Sequence, residues 1–137
     1  MEVSNFKELY GEGYTHHFII TKNVYKSFQI CSGDKNPLHT NELFARNKGF
    51  QTKVMYGNIL NAFISYFVGE CLPTKDVIIH SQDISYTNPV YMNDKLRLES
   101  KIECVFESVN AIEFKYKFIN QNNKVVAKGH VQIGLLL

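Results

Sequence analysis

The sequence predicts an α+β domain in which an antiparallel β-sheet is wrapped around one long central α-helix. Three observations predict it. Over residues 58–71, Ile59, Leu60, Phe63, Phe67 and Val68 form one apolar stripe with Ile64 alongside, and a helix this apolar has to be covered by something else. Downstream, residues 76–86, 96–107, 111–119 and 125–135 read as strands, the last three alternating, as in Ile112, Phe114, Tyr116 and Phe118. The order is strand, short helices, one long helix and then four strands, which is not the regular βαβ alternation of a parallel sheet.

The remaining elements follow in order. Residues 1–12 are polar, with Gly11 and Gly13 as punctuation, and are expected to form a loose arm. Residues 14–21 (YTHHFIIT) are rich in β-branched and aromatic side chains and predict the first strand. His16 and His17 are adjacent, so a strand sends them to opposite faces and they share no metal. Thr21 is a candidate N-cap for a helix over 22–30, with Val24, Phe28 and Cys31 on one face. A second short helix, 42–47, is expected to stop at Gly49. Residues 51–55 link it to the central helix, which Leu72-Pro73 ends. Asn88-Pro89, Asn93-Asp94, 108–110 and 121–123 separate the strands.

The whole chain of 137 residues fits one domain with a sizeable core. Its composition, 45% hydrophobic and 20% charged, is that of an ordinary globular protein. A net charge of +2 without a Lys/Arg run argues against nucleic acid as a partner. Three widely spaced cysteines without a CxxC pair give neither a disulfide framework nor a zinc site, and favour a reducing, cytoplasmic setting. No apolar run is long enough to span a bilayer, and the first residues lack a signal-peptide core.

The most informative stretch is SGDKNPLHTNELFA, residues 32–45. Gly33 permits a sharp turn, and Pro37 both lacks an N–H and pushes Asn36 towards extended backbone. The segment therefore is not helical throughout, and it holds a carboxylate, Asp34, and an imidazole, His39, five residues apart on a rigid loop. The same residues also admit a purely structural reading: Asp and Asn stabilise turns, and Thr40 or Asn41 caps the helix that follows.

The octapeptide Ser32–His39 resembles the signature of the R-specific enoyl-CoA hydratases, the MaoC-like dehydratases, whose architecture is the hot-dog fold. Phe44-Ala45, Phe50, the Val54-Met55-Tyr56-Gly57 step into the central helix, and Pro89-Val90 followed by Asn93-Asp94 extend the likeness from about residue 14 onwards. Two positions depart from the pattern: Tyr56 stands where a histidine is usual, and Asn58 where Met or Ile is common.

The resemblance implies syn addition of water to a 2-enoyl thioester, with Asp34 and His39 as the acid/base pair. Gly57, at the start of the apolar helix, is the implied oxyanion donor. Ser65 is expected to orient Asp34 by hydrogen bonding, and Asn36 to brace the loop on the substrate side. Tyr56 either offers its hydroxyl to the thioester arm or packs at the helix entrance, and Asn58 lies beside it. The expected substrate is carried on coenzyme A or an acyl carrier protein, with no metal or redox cofactor, and the expected assembly is a homodimer. Two rivals remain: thioester hydrolysis, and an acyl-binding subunit without turnover. A serine-hydrolase reading fails because no nucleophile elbow surrounds Ser65. Cys71, His80 and His130 have no partners suggested by sequence.

Overall fold

The computed structural model describes residues 1–137. A first helix, α1 (Val3–Tyr10), precedes strand β1 (Tyr14–Ile19). Three helices follow, α2 (Lys22–Ser32), α3 (Pro37–Thr40) and α4 (Glu42–Asn47), and then the central helix α5 (Ile59–Tyr66), which runs into a π-helical turn over Phe67–Cys71. Strands β2 (Val77–Tyr86), β3 (Lys95–Phe106), β4 (Ala111–Ile119) and β5 (Val125–Leu135) complete one antiparallel sheet in the order β1-β3-β4-β5-β2. This is the expected hot-dog arrangement.

The strand pleat decides what touches the helix. Leu98, Phe118 and Ala127 lie opposite one another across β3, β4 and β5, as do Ile102, Phe114 and Val131, and of these all but the partly buried Ile102 are fully buried. Phe114 meets Phe67 edge-on at 5.5 Å between centroids. The stripe Ile59, Leu60, Phe63, Ile64, Phe67 and Val68 is buried throughout, as the 3.6-residue period requires.

Two expectations are corrected. Residues 1–12 are not a loose arm: Val3, Phe6 and Tyr10, spaced three and four apart, bury one face of α1 against Phe114. Tyr10 then anchors the helix by bonding Ser100 through its hydroxyl, at 2.6 Å to Oγ and 3.0 Å to the carbonyl. The second half of the octapeptide is helical, because Asn36 caps α3 and Pro37 occupies its first turn, where a missing N–H costs nothing. Cys31 is exposed, and the buried residue of α2 is Tyr25.

The core places the segment before α5 firmly. The Met55 N–H donates to the Val90 carbonyl at 2.8 Å, and the Val54 N–H to the Leu38 carbonyl at 3.1 Å. Residues 54–55 are thus pinned between α3 on one side and the β2–β3 connection on the other. No helix is long and apolar enough to cross a membrane.

Candidate active site

Gly33 ends α2 in the left-handed region, at φ 72°, and releases the chain into a series of side-chain-to-backbone turns. Ser32 Oγ accepts from the Asp34 N–H at 3.1 Å, Asp34 Oδ1 from the Asn36 N–H at 2.9 Å, and Asn36 Oδ1 from the Leu38 N–H at 2.9 Å. These bonds hold the backbone around Asp34 although the residue itself is exposed. They leave its Oδ2 without a partner in the chain, and Asn36 acts as the brace expected of it.

His39 sits in the turn of α3 and is half-buried. Its Nδ1 lies 2.7 Å from the Val54 carbonyl oxygen. A carbonyl only accepts, so Nδ1 carries a proton and Nε2 is the ring nitrogen left to exchange one with a substrate. The backbone of the residue is fixed as well: its carbonyl accepts from the Tyr25 hydroxyl at 2.6 Å. Burial, and then the neighbouring Tyr56 phenol, push the Tyr25 pKa up, so this donor keeps its proton. The two histidine–carboxylate pairs of the chain are both at His130, so Asp34 and His39 stand apart, with more than 4.0 Å between ring nitrogen and carboxylate oxygen.

Tyr56 joins this loop to the core. It is 3% exposed, and its ring packs on His39 at 4.3 Å, Phe28 at 5.0 Å and Tyr25 at 5.6 Å. Its hydroxyl donates to the Asp34 carbonyl and accepts from Gln29 Nε2. Of the two roles open to Tyr56 in the sequence, the structure shows the packed one, with the hydroxyl spent on the loop that carries Asp34.

Gly57 follows directly. Its N–H meets no acceptor in the chain. A Cβ there would lie 2.8 Å from the ring of Tyr86, so any larger residue has to displace that half-exposed side chain. Asn58 is exposed, makes no capping bond, and accepts through Oδ1 from Asn61 Nδ2 at 2.8 Å and from the Tyr86 hydroxyl at 3.2 Å.

Asp34, Asn36, His39, Tyr56 and Gly57 are therefore brought together, with Asn58 at the edge. Ser65 is not. It lies on the exposed side of α5 near the far end of the helix and bonds no side chain, and the orientation of Asp34 comes from the Asn36 N–H instead. Its phase foretold this, since Ile64 and Phe67–Val68 on either side belong to the buried stripe. The sequence reading missed Tyr25, Gln29, Val54 and Tyr86. Tyr25 carried a signal, one residue from Val24 on the apolar side of α2; Val54 contributes only a carbonyl and carried none.

A family model described as "MaoC like domain" matches residues 10–123. The (R)-specific enoyl-CoA hydratase of Aeromonas caviae is 26% identical over 109 residues, 80% of this chain and 81% of that protein. The mitochondrial 3-hydroxyacyl-[acyl-carrier-protein] dehydratase of Arabidopsis thaliana is 26% identical over 107 residues, covering 76% of this chain and 63% of that protein. The solved structure of the A. caviae (R)-hydratase superposes with a TM-score of 0.83 at 23% identity, over 91% of this chain and 95% of that one, which establishes the shared fold.

Proposed function

The chain belongs to the MaoC-like domain family, and from that premise we propose that it is a hydro-lyase that adds water reversibly to a 2-enoyl thioester, giving an (R)-3-hydroxyacyl thioester. The observation that carries this reading is the bond that fixes the His39 ring. With Nδ1 held by the Val54 carbonyl, Nε2 is the nitrogen left for a substrate, within the same short loop as the Asp34 carboxyl group, with which it forms no ion pair. The space between the two groups is where a substrate and a water molecule have to lie.

In the hydration direction the Asp34/His39 pair takes a proton from the water whose oxygen adds to C3, and the enolate so formed is protonated at C2 by the proton the pair has gained, so the pair ends as it began. Both groups act on one face of the double bond, hence syn addition; dehydration reverses each transfer. Negative charge gathers on the thioester oxygen as C3 is attacked. The free Gly57 N–H, at the entrance to α5, is the donor for it, and removal of such a donor typically costs roughly 3–4 kcal/mol of barrier. Asn36 and Tyr56 hold the loop, and Asn58 lies where the thioester arm enters. The relatives are named for acyl groups carried on coenzyme A and on an acyl carrier protein, which supports a thioester of one of these carriers as the substrate here. No step calls for a metal or a redox cofactor.

The assembly we propose is a homodimer. Strand β2, ten residues long, is paired on one side only, and Ile78 and Ile79 are exposed on it. A long unpaired edge of this kind invites a second strand, and pairing β2 with its counterpart joins two sheets. Incubation with crotonyl-CoA tests the reaction type: loss of enoyl absorbance without free thiol, and recovery of the (R)-3-hydroxy product, is expected. Release of thiol overturns hydration in favour of thioester hydrolysis.

A further inference from the structure

The outer face of the sheet is divided by charge. Lys101 on β3 lies directly opposite Lys115 on β4, and Lys117 on β4 directly opposite Lys128 on β5. Like charges facing each other across a ladder destabilise a sheet, and here two such pairs adjoin. Little offsets them. Lys117 alone reaches a carboxylate, Glu99 at 3.8 Å, and Glu99 is already held by Arg97 at 2.6 Å; Lys101, Lys115, Lys124 and Lys128 form no ion pair. Of the other acids, Asp83 and Glu103 bond His130 at 3.3 and 3.0 Å with Glu113 beside them, and Glu12, which pairs with no lysine, is the one other acid that lines the same surface.

A concavity of about 850 Å³ overlies these lysines, which make up five of its fifteen lining residues, and it extends to Thr87 and Asn88. Those two follow Tyr86, whose ring walls Gly57. Lys128 itself is the register partner of Ser85, the residue before Tyr86. The basic face and the candidate active site thus meet at the end of β2.

Lysines on neighbouring strands stand about 4.8 Å apart and those two residues apart on one strand about 7 Å. That grid is spread over three strands and the turn between β4 and β5 rather than placed on a single element. It matches the roughly 5–6 Å spacing of carboxylates at i, i+3 and i+4 along a helix. We propose that this face docks an acidic helical surface of a protein that carries the acyl thioester, its flexible arm passing Tyr86 to reach Gly57. The inference rests on the hydratase reading of Asp34 and His39, and it makes the protein-borne thioester the preferred substrate over the coenzyme A form.

The test compares the wild type with the Lys115→Glu/Lys117→Glu double variant on two substrates, crotonyl thioesters of an acyl carrier protein and of coenzyme A. At low ionic strength kcat/KM on the carrier-protein substrate is expected to fall by about tenfold or more in the double variant, because charge reversal at a docking surface slows encounter. The difference should shrink in high salt, and crotonyl-CoA should change by less than about twofold. A Lys7→Glu/Lys48→Glu variant of the same net charge should behave as wild type. The variant relieves two Lys–Lys pairs but sets a glutamate opposite Glu99, so melting is measured alongside and the rates are compared at matched folded fraction, which separates lost docking from unfolding. Titration of unacylated holo carrier protein reads the docking without turnover: binding in the wild type and its loss in the double variant support the proposal even if neither thioester is hydrated, an outcome that would instead remove the hydratase reading. An equal loss on crotonyl-CoA would assign the lysines to nucleotide phosphates, and tighter binding of a short duplex DNA would assign them to nucleic acid. Either result, or an unchanged double variant, overturns the proposal.

Discussion

The loop from Ser32 to Thr40 and the helix α5 meet at Tyr56, and they are held by opposite means. α5 owes its place to burial: six apolar side chains with almost no exposed surface, set against the inner face of the sheet. The loop buries none of its nine residues, and its shape comes from a relay of three side-chain-to-backbone bonds through Ser32, Asp34 and Asn36. Burial gives stability without aiming any polar group. The relay aims Asp34 and His39 but contributes little stability by itself. Tyr56 belongs to both regions, with its ring in the core and its hydroxyl on the Asp34 carbonyl. Rigidity at the acid/base pair is here borrowed from the core through two side chains, Tyr56 and Tyr25, whose hydroxyls hold the carbonyls of Asp34 and His39.

The contrast breaks most sharply at Phe67. It is fully buried against Phe114 and Tyr14, so Phe67→Ala should cost about 3–5 kcal/mol in chemical denaturation. The folded fraction should keep its turnover, because nothing in the loop touches Phe67. Tyr56→Phe should do the reverse. The ring packing survives, the lost hydroxyl costs stability about 1 kcal/mol, and kcat on crotonyl-CoA should fall roughly ten- to a hundredfold as the Asp34 carbonyl loses its brace. A Tyr56→Phe enzyme with full kcat would show that the loop does not depend on this hydroxyl.

The smallest effect separates the two regions by pH. Burial pushes the Tyr10 pKa up to about 12, from an ordinary value of 10.0. Between these values the unfolded chain has lost this proton and the folded chain retains it, so the unfolded state binds fewer protons and stability falls as pH rises from about 10 to about 12. Stability from this source is fully present below pH 10. Tyr10→Phe should flatten that decline in pH-dependent melting and leave catalysis near neutral pH unchanged.

How much of this could be read from the sequence follows from the same contrast. The apolar stripe of α5 and the alternation of β4 and β5 were legible because burial writes a period into the chain. The octapeptide was legible because Gly33, Asn36 and Pro37 each restrict the backbone locally. The helix α1 was hidden: eight residues are too few to be helical alone, one of the four apolar ones, Leu9, faces solvent, and tertiary packing of Val3, Phe6 and Tyr10 decides the matter. The signal for α3, an Asn cap followed by Pro, was present but lay inside a motif read as non-helical. The tether from His39 to Val54 and the bond from Tyr56 to Asp34 join residues fifteen and twenty-two positions apart through backbone carbonyls, which leave no mark on side-chain identity.

The dyad itself is tested most directly by crotonyl-CoA hydration with Asp34→Asn and His39→Gln, each compared with wild type at matched folded fraction. Both replacements keep shape and remove the acid/base function, and each should lower kcat by about 10²- to 10⁴-fold. Hydration at close to the wild-type rate in either variant would contradict the assignment of Asp34 and His39 as the pair that moves the protons.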